Sequence, residues 1–152
     1  RDAVSRSLDQ LVPVAGQEGT RILLENLPFI CKFPYLSMAE LRSLVDGYPA
    51  AQLGLVIDTG HAWTVHRDPA EEIAAAGSRL QGTHLQDVDH EDPQDNHWPP
   101  THGGLDWSAI RGALAAIDYS GPWTFEVAHG TGAETPEQLA RLTHEVATSW
   151  GL

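Results

Sequence analysis

Four residues that could bind a metal stand at or near the ends of four apolar runs. They are three carboxylates and one imidazole, from Glu25, Asp58, His84 and Glu126. Three carboxylates held close together raise each other's pKa values unless a cation compensates their charge, and a divalent metal does so. Ligation rich in oxygen with one imidazole suits Mn2+, Mg2+ or Co2+, with Zn2+ as a further candidate. The residue types therefore predict a site for one divalent metal ion, provided that the fold brings the four side chains together.

Each of these residues also has a simpler explanation when it is taken alone. Glu25 could be a solvated residue at a strand end, and Asp58 could cap the turn that follows its strand. His84 could be a hydrogen-bonded histidine of the core. Glu126 fits such an explanation least, because an unpaired carboxylate inside the apolar run "WTFEVA" would cost several kcal/mol. Only the convergence of the four side chains favours a metal site over these alternatives.

A second group of polar residues follows the same runs. His61 comes three residues after Asp58, and we expect it to contact the substrate, although a loop histidine bonded to the backbone is the alternative. The polar stretch 86–104 has too few apolar residues for a core of its own, which is typical of a lid or binding loop. Within it, Asp95 and His97 have the spacing D-x-H. They could bind a second metal or be solvated, and we also expect His97 to contact the substrate.

The elements that must position these residues alternate between strand and helix. Strand-like runs are predicted at 21–27, 53–59, 80–88 and 122–128. Helices are predicted from the apolar period and the capping residues at 1–12, 38–46, 69–77, 107–117 and 136–150. Near-continuous apolar strands that alternate with helices are typical of a parallel sheet covered by helices. The predicted fold class is therefore α/β.

The spacing of the four candidate ligands indicates which α/β architecture this is. A (β/α)8 barrel of about 250 residues allots roughly 30 residues to each unit, and one candidate ligand occurs at about this interval on each successive strand. Parallel strands of a barrel bring their carboxyl ends to one face, where barrel enzymes keep their chemistry. Four units are half a barrel. We therefore expect residues 1–152 to form one partial domain, whose other strands precede Arg1 or come from a second chain.

Composition excludes several classes of protein. The formal net charge of −12 disfavours nucleic acids and anionic membrane surfaces as partners. Cys31 is the single cysteine, so the chain is not a small fold held together by internal disulfides. No apolar run reaches the roughly 18 residues of a membrane-spanning helix. These features predict a soluble, cytoplasmic protein.

Five stretches of the sequence resemble one known family. They are "ILLENLP", "LVIDTGHAW", "THLQDV", "DNHWPPTHGGLDW" and "FEVA". They are similar to the xylose isomerase-like TIM barrels, which include sugar-phosphate isomerases and epimerases, ketose 3-epimerases and, more distantly, endonuclease IV. The resemblance implies the C-terminal half of such a barrel. Position by position, it implies the catalytic metal ligands Glu25, Asp58, His84 and Glu126.

The resemblance also implies further roles. His61 looks like the histidine that contacts a substrate oxygen in the epimerases, and Asp95 with His97 matches the D-x-H pair that joins a multi-zinc cluster in the endonuclease. The expected function is isomerisation or epimerisation of a sugar, sugar phosphate or polyol through a metal-stabilised enediolate. Glu25 and Glu126 would act as base and acid.

Other functions stay open at this point. One alternative is an endonuclease IV-like zinc phosphodiesterase that acts on abasic DNA. A second is a related dehydratase, and a third is a non-catalytic half-barrel that forms a homo-oligomer or binds a partner through its open sheet edges.

Overall fold

The structure is a computed structural model that describes residues 3–92 and 94–152. The described residues form the strands β1 (Ile22–Glu25), β2 (Leu53–Asp58), β3 (Leu80–Leu85) and β4 (Trp123–Phe125). They also form the helices α1 (Ala3–Gln17), α2 (Met38–Val45), α3 (Thr59–Thr64), α4 (Pro69–Ala76), α5 (Trp107–Ala116) and α6 (Pro136–Ser149). Short 3-10 turns lie at Phe29–Cys31 and Gly77–Arg79. The predicted alternation of strands and helices is confirmed.

All four strands are parallel and lie side by side in chain order, β1-β2-β3-β4. Their register advances across the sheet. Glu25 pairs with Val56, two positions before Asp58, whereas Asp58 pairs directly with His84. A second advance of two positions occurs at β4, where His84 pairs with Thr124. Such a stagger accompanies the tilt of the strands in a closed barrel, and it brings residues of different register to a common depth.

The two faces of the sheet differ in what they contact. Leu53, Leu55 and Ile57 alternate along β2, are fully buried and belong to the core cluster. The core residues that the helices add to this cluster include Met38, Leu41, Val45, Ile73, Ala76, Ile110 and Leu114. Because successive side chains of a strand point to opposite faces, Asp58 lies on the face away from the helices. The core therefore fixes the strand while the opposite face presents the polar group.

Capping residues fix where the helices begin. Ser37 and Glu40 form the predicted capping box of α2, in which Ser37 Oγ accepts the Glu40 N–H at 3.2 Å and Glu40 Oε2 accepts the Ser37 N–H at 3.0 Å. Thr135 caps α6 in the same way. The first predicted helix continues beyond residue 12 to Gln17, and its first two residues lie outside the described range. These local signals placed the starts of the other predicted helices within one residue, because a cap satisfies N–H groups that the helix itself leaves unpaired, whereas α3 was not predicted.

Several boundaries differ from the prediction, and β1 and β3 end earlier than predicted, at Glu25 and Leu85. We expected a turn after Asp58, but α3 begins at once with Thr59, and Asp58 Oδ1 caps it by accepting the His61 N–H at 2.7 Å. We expected β4 to extend to residue 128, but it ends at Phe125. The reason is that the Ala128 N–H donates to His97 O, at 3.0 Å, in the loop that follows β3.

Among the described residues, no helix combines the length and the apolar character that crossing a membrane requires.

Candidate metal centre

The four predicted ligands converge at the carboxyl ends of the strands. Glu25, Asp58, His84 and Glu126 each offer one ligand atom, and these atoms all lie within 4.8 Å of one another. His84 Nδ1 lies 3.2 Å from Glu25 Oε1 and 2.9 Å from Glu126 Oε2. The two glutamates come from the ends of the two outer strands, so the twist and stagger of the sheet bring them to the same histidine.

Two of these atoms indicate that the group fits a cation. His84 Nδ1 and Glu126 Oε2 are buried, and neither has a hydrogen-bond partner of acceptable geometry within residues 3–92 and 94–152. Buried polar atoms are nearly always satisfied, so a pair of unsatisfied atoms in one place calls for an explanation. Carboxylate oxygens with one imidazole nitrogen are ligands that Mn2+ and similar divalent metals accept. The residues present therefore fit a divalent metal ion.

Asp58 is the most deeply buried of the four, with none of its surface exposed. Burial raises the pKa of its carboxyl group to about 6, although the positive charge of His61 and the hydrogen bonds from the His61 N–H and Gln86 oppose this shift. A nearby carboxylate, Glu25, raises the pKa of Asp58 further. The environment of Asp58 thus disfavours its charge, and a bound cation would reverse that preference.

Asn26 holds the ends of β1 and β2 together. Its Oδ1 accepts the Asp58 N–H at 2.8 Å, and its Nδ2 donates to the Asp58 carbonyl at 2.9 Å. This reciprocal pair fixes the backbone of Asp58 relative to the residue next to Glu25. Asn26 was not predicted from the sequence, where the one local signal is its place directly after a candidate ligand.

His61 lies beside the metal centre rather than in solvent. Its Nδ1 is 2.9 Å from the Asn26 carbonyl and 3.2 Å from Glu25 Oε1, and its Nε2 is 3.3 Å from Asp95 Oδ2. Burial by itself would lower the pKa of His61, but the hydrogen bonds to Asp95 and Glu25 and the charge of Asp58 raise it to about 11. As a cation, the ring donates toward acidic groups on both of its sides.

The D-x-H pair of the loop after β3 joins His61 in a second cluster. His61, Asp95 and His97 each offer one ligand atom, and these atoms lie within 4.8 Å of one another. His97 Nε2 is 3.1 Å from Asp95 Oδ1, and His97 Nδ1 is 3.1 Å from the Glu126 carbonyl. Burial tends to raise the pKa of Asp95, but hydrogen bonds from His61 and Gln86 hold it well below its usual range. The two clusters are therefore neighbours that share the contact between His61 and Glu25.

Gln86 connects the two clusters, and it too was not predicted from the sequence. Its side chain is completely buried, and its Nε2 donates to both carboxylate oxygens of Asp58, at 3.0 and 3.1 Å, and to Asp95 Oδ1 at 2.9 Å. Its Oε1 accepts the His97 N–H at 2.8 Å. A signal was available, because Gln86 follows His84 by two residues, and in an extended chain such residues point to the same face of the sheet.

With this geometry established, comparison with known proteins identifies the family. The family model described as "Xylose isomerase-like TIM barrel" matches residues 1–149. The chain belongs to this family. The α/β fold and the barrel type predicted from the sequence are thereby confirmed.

Individual relatives support the same fold. The chain is 30% identical over 121 residues to the uncharacterized protein y4fM of Sinorhizobium fredii (strain NBRC 101917 / NGR234), covering 80% of this chain and 38% of that protein. It superposes on D-psicose 3-epimerase with D-tagatose from Clostridium cellulolyticum H10 with a TM-score of 0.79 and 21% identity, over 95% of this chain and 53% of that one. For 3-keto-D-glucoside 4-epimerase, YcjR, from E. coli, the TM-score is 0.67 and the identity 22%, over 97% and 51% of the two chains. This chain thus spans about half the length of these two solved structures and 38% of the length of y4fM.

The structure brings together every site residue that the sequence predicted. The four candidate ligands form one cluster, and His61 and His97 lie in the adjacent one. Of the other loop histidines, His90 stacks on Trp63 with ring centroids 4.7 Å apart. The roles of these residues as ligands or substrate contacts stay predictions.

Proposed function

We propose that this chain contributes one half of the active site of a divalent-metal-dependent sugar epimerase or isomerase. The proposed metal ligands are Glu25, Asp58, His84 and Glu126, with Mn2+, Mg2+ or Co2+ as the preferred ion. The observation that supports this is the presence of four ligand atoms within 4.8 Å of one another at the ends of four successive parallel strands. The proposal treats residues 1–152 as one partial barrel domain.

The proposed chemistry is proton transfer at a carbon of the substrate. A bound divalent metal would supply Lewis-acid polarisation of substrate oxygen atoms. Glu25 and Glu126 follow the two strands at opposite edges of the sheet. One glutamate can therefore remove a proton from one face of a carbon while the other returns a proton to the opposite face. His61 and His97 would contact substrate oxygens and orient the sugar.

The substrate class proposed is a keto sugar. The names of the similar structures describe a D-psicose 3-epimerase and a 3-keto-D-glucoside 4-epimerase. A hydrogen on a carbon next to a ketone is acidic enough for a carboxylate to remove it in a site that stabilises the resulting negative charge. Two glutamates beside a proposed metal suit this reaction.

Solvent exchange tests the proposal. The complete protein would be incubated with Mn2+ and D-psicose or D-tagatose in D2O, and deuterium at the reacting carbon would be measured by NMR. We expect Glu126→Gln to abolish incorporation, because the amide can neither accept nor return the proton. Glu145→Gln on the exposed side of α6 is the matched control and should exchange like the wild type. Undiminished exchange in the Glu126→Gln protein would refute the assignment.

A second candidate function is endonuclease IV-like cleavage of DNA at abasic sites. The observation that favours it is the second cluster of His61, Asp95 and His97, which could hold a further metal ion. The net charge of −12 opposes it, because proteins that bind DNA gather Lys and Arg on the binding face. Incubation of the purified protein with a duplex containing one abasic site, with Zn2+ present, separates the candidates: nicking would favour this second function over the first.

A further inference from the structure

The side chain of Gln86 occupies the space between the metal centre and the second cluster. Both hydrogens of its amide are used, one shared between the two oxygens of Asp58 and the other donated to Asp95 Oδ1 at 2.9 Å. Its carbonyl oxygen accepts the His97 N–H at 2.8 Å. One buried amide thus contacts a proposed metal ligand and two members of the neighbouring cluster at once.

The partners of this amide fix its orientation. If the amide were flipped, its oxygen would face the two carboxylates and its NH2 group would face the N–H of His97, so attractive contacts would become repulsive. In the observed orientation every hydrogen-bonding group of the amide is satisfied, and such complete satisfaction is what makes a buried polar network rigid. Asp58 and Asp95 are therefore held at a set separation.

The backbone of Gln86 is anchored independently of its side chain. Its N–H donates to Thr59 Oγ1 at 3.0 Å, and the Thr59 hydroxyl donates to the Gln86 carbonyl at 2.7 Å. The position of the amide also depends on Gly60, where an added Cβ would lie 2.5 Å from Gln86 Cδ and 2.6 Å from Gln86 Oε1. The residue at position 60 has to lack a side chain for the amide to sit where it does.

We propose that Gln86 is a positioning residue that couples the two clusters. Through its amide, the hydrogen bond to Asp95 affects how well the Asp58 carboxylate is placed for the metal. This inference rests on the proposed metal centre and adds a residue that acts through the ligands rather than on the substrate. Groups that orient metal ligands typically change metal affinity by about 10- to 100-fold when they are removed.

The first measurement is Mn2+ affinity by isothermal titration calorimetry on the full chain. Gln86→Met keeps the length and volume of the side chain but removes its hydrogen bonds, and we expect it to weaken Mn2+ binding by about tenfold or more. Gln81→Met is a control on β3, near the end of the strand that lies far from Gln86. Gln81 also packs against a glycine, since a Cβ at Gly54 would lie 2.4 Å from Gln81 Oε1. We expect this control to leave Mn2+ affinity unchanged.

The second measurement is a double-mutant cycle that isolates the coupling. Asp95→Asn would be introduced with and without Gln86→Met, and Mn2+ affinity measured for all four proteins. The loss of charge at position 95 acts on the metal directly in both backgrounds, so this direct effect cancels in the cycle. We expect Asp95→Asn to change Mn2+ affinity several-fold more when Gln86 is present than in the Gln86→Met background.

A further variant keeps the test valid if Gln86→Met does not fold. Gly60→Ala retains Gln86 but displaces its amide, and it should weaken Mn2+ binding in the same direction. Equal Mn2+ affinity of the wild type and the folded variants, or equal effects of Asp95→Asn in both backgrounds, would overturn the coupling while leaving the proposed function in place. Failure of the wild-type chain itself to bind Mn2+ would instead overturn the proposed metal centre, and the coupling with it.

Discussion

Two buried aspartates, Asp58 and Asp87, lie at or just beyond the ends of neighbouring strands and have opposite surroundings. Both are completely buried. Asp87 accepts hydrogen bonds from four N–H groups, which belong to the backbones of Val88, Thr101 and Leu105 and to the indole of Trp107. In the described part of the chain, Asp58 accepts hydrogen bonds from two groups, the His61 N–H and the Gln86 amide, and it faces the Glu25 carboxylate.

The difference shows that burial by itself does not mark a functional carboxylate. The charge of Asp87 is compensated by fixed donors, and these donors tie the loop after β3 to the start of α5. Asp58 is equally buried, but it has fewer hydrogen-bond donors and faces the Glu25 carboxylate. Burial raises the pKa of its carboxyl group despite the opposing charge of His61, so a cation would stabilise its ionised form. The number and type of the partners therefore separate a structural aspartate from a proposed metal ligand.

The largest expected effect tests the structural half of this comparison. Asp87→Ala leaves several buried N–H groups without an acceptor, and each costs free energy. We expect the free energy of unfolding to fall by about 4 kcal/mol, measured by urea denaturation followed by circular dichroism. Asp92→Ala, in an exposed part of the same loop, is the control and should change it little. A loss below about 1 kcal/mol for Asp87→Ala would contradict the structural role.

The next effect tests the proposed metal ligand. Asp58→Asn keeps the shape of the side chain and an acceptor for Gln86 but removes the negative charge. We expect Mn2+ affinity to fall by at least about 100-fold, or about 2.7 kcal/mol, in calorimetric titration. The rise in Tm that Mn2+ produces in the wild type should disappear with it. If Asp58→Asn retained full Mn2+ affinity, Asp58 would be no more than a helix cap.

A smaller effect tests how tightly the loop packs around Asp87. A Cβ at Gly103 would lie 2.3 Å from the Val88 carbonyl and 2.4 Å from Asp87 Oδ1. Gly103→Ala should therefore lower the free energy of unfolding by about 2 kcal/mol. Gly112→Ala on α5 is the matched control, because no described atom lies within 4 Å of its added Cβ and alanine favours a helix. Equal stability of the two variants would show that the loop adapts to the extra methyl group.

The smallest effect concerns a third buried carboxylate, Glu72, which accepts a hydrogen bond from the Met38 N–H. Burial raises the pKa of Glu72 even though this hydrogen bond opposes the shift. An acid whose pKa is higher in the folded state contributes stability that is full below its unfolded pKa and is lost as the pH rises through the folded pKa. Glu72→Gln should remove this loss of stability at high pH, because glutamine does not ionise.

The gain in stability from Glu72→Gln relative to the wild type should be present at pH 8 and should vanish at pH 4. Urea denaturation of both proteins at the two pH values measures it. A gain of the same size at both pH values would show that the effect does not come from ionisation.

Much of the fold and of the candidate site follows from local patterns. Ser37 and Thr135 begin helices because their side chains bond nearby N–H groups, which can be recognised without a structure. The convergence of Glu25 with Glu126 follows from the rule that parallel strands end on one face. The partners of Gln86, by contrast, lie on other elements, so no pattern around residue 86 indicates them.

By itself the sequence determined the order of strands and helices, the family, and which acidic and histidine residues reach the strand ends. These features depend on residue period, caps and spacing, all of which are local properties of the chain. The tertiary structure alone decided that Asp87 accepts four N–H hydrogen bonds while Asp58 faces the Glu25 carboxylate, and that Asn26 and Gln86 hold the site together. The reason is that hydrogen-bond partners far apart in sequence are chosen by the twist and stagger of the sheet, which arise only when all four strands pack together.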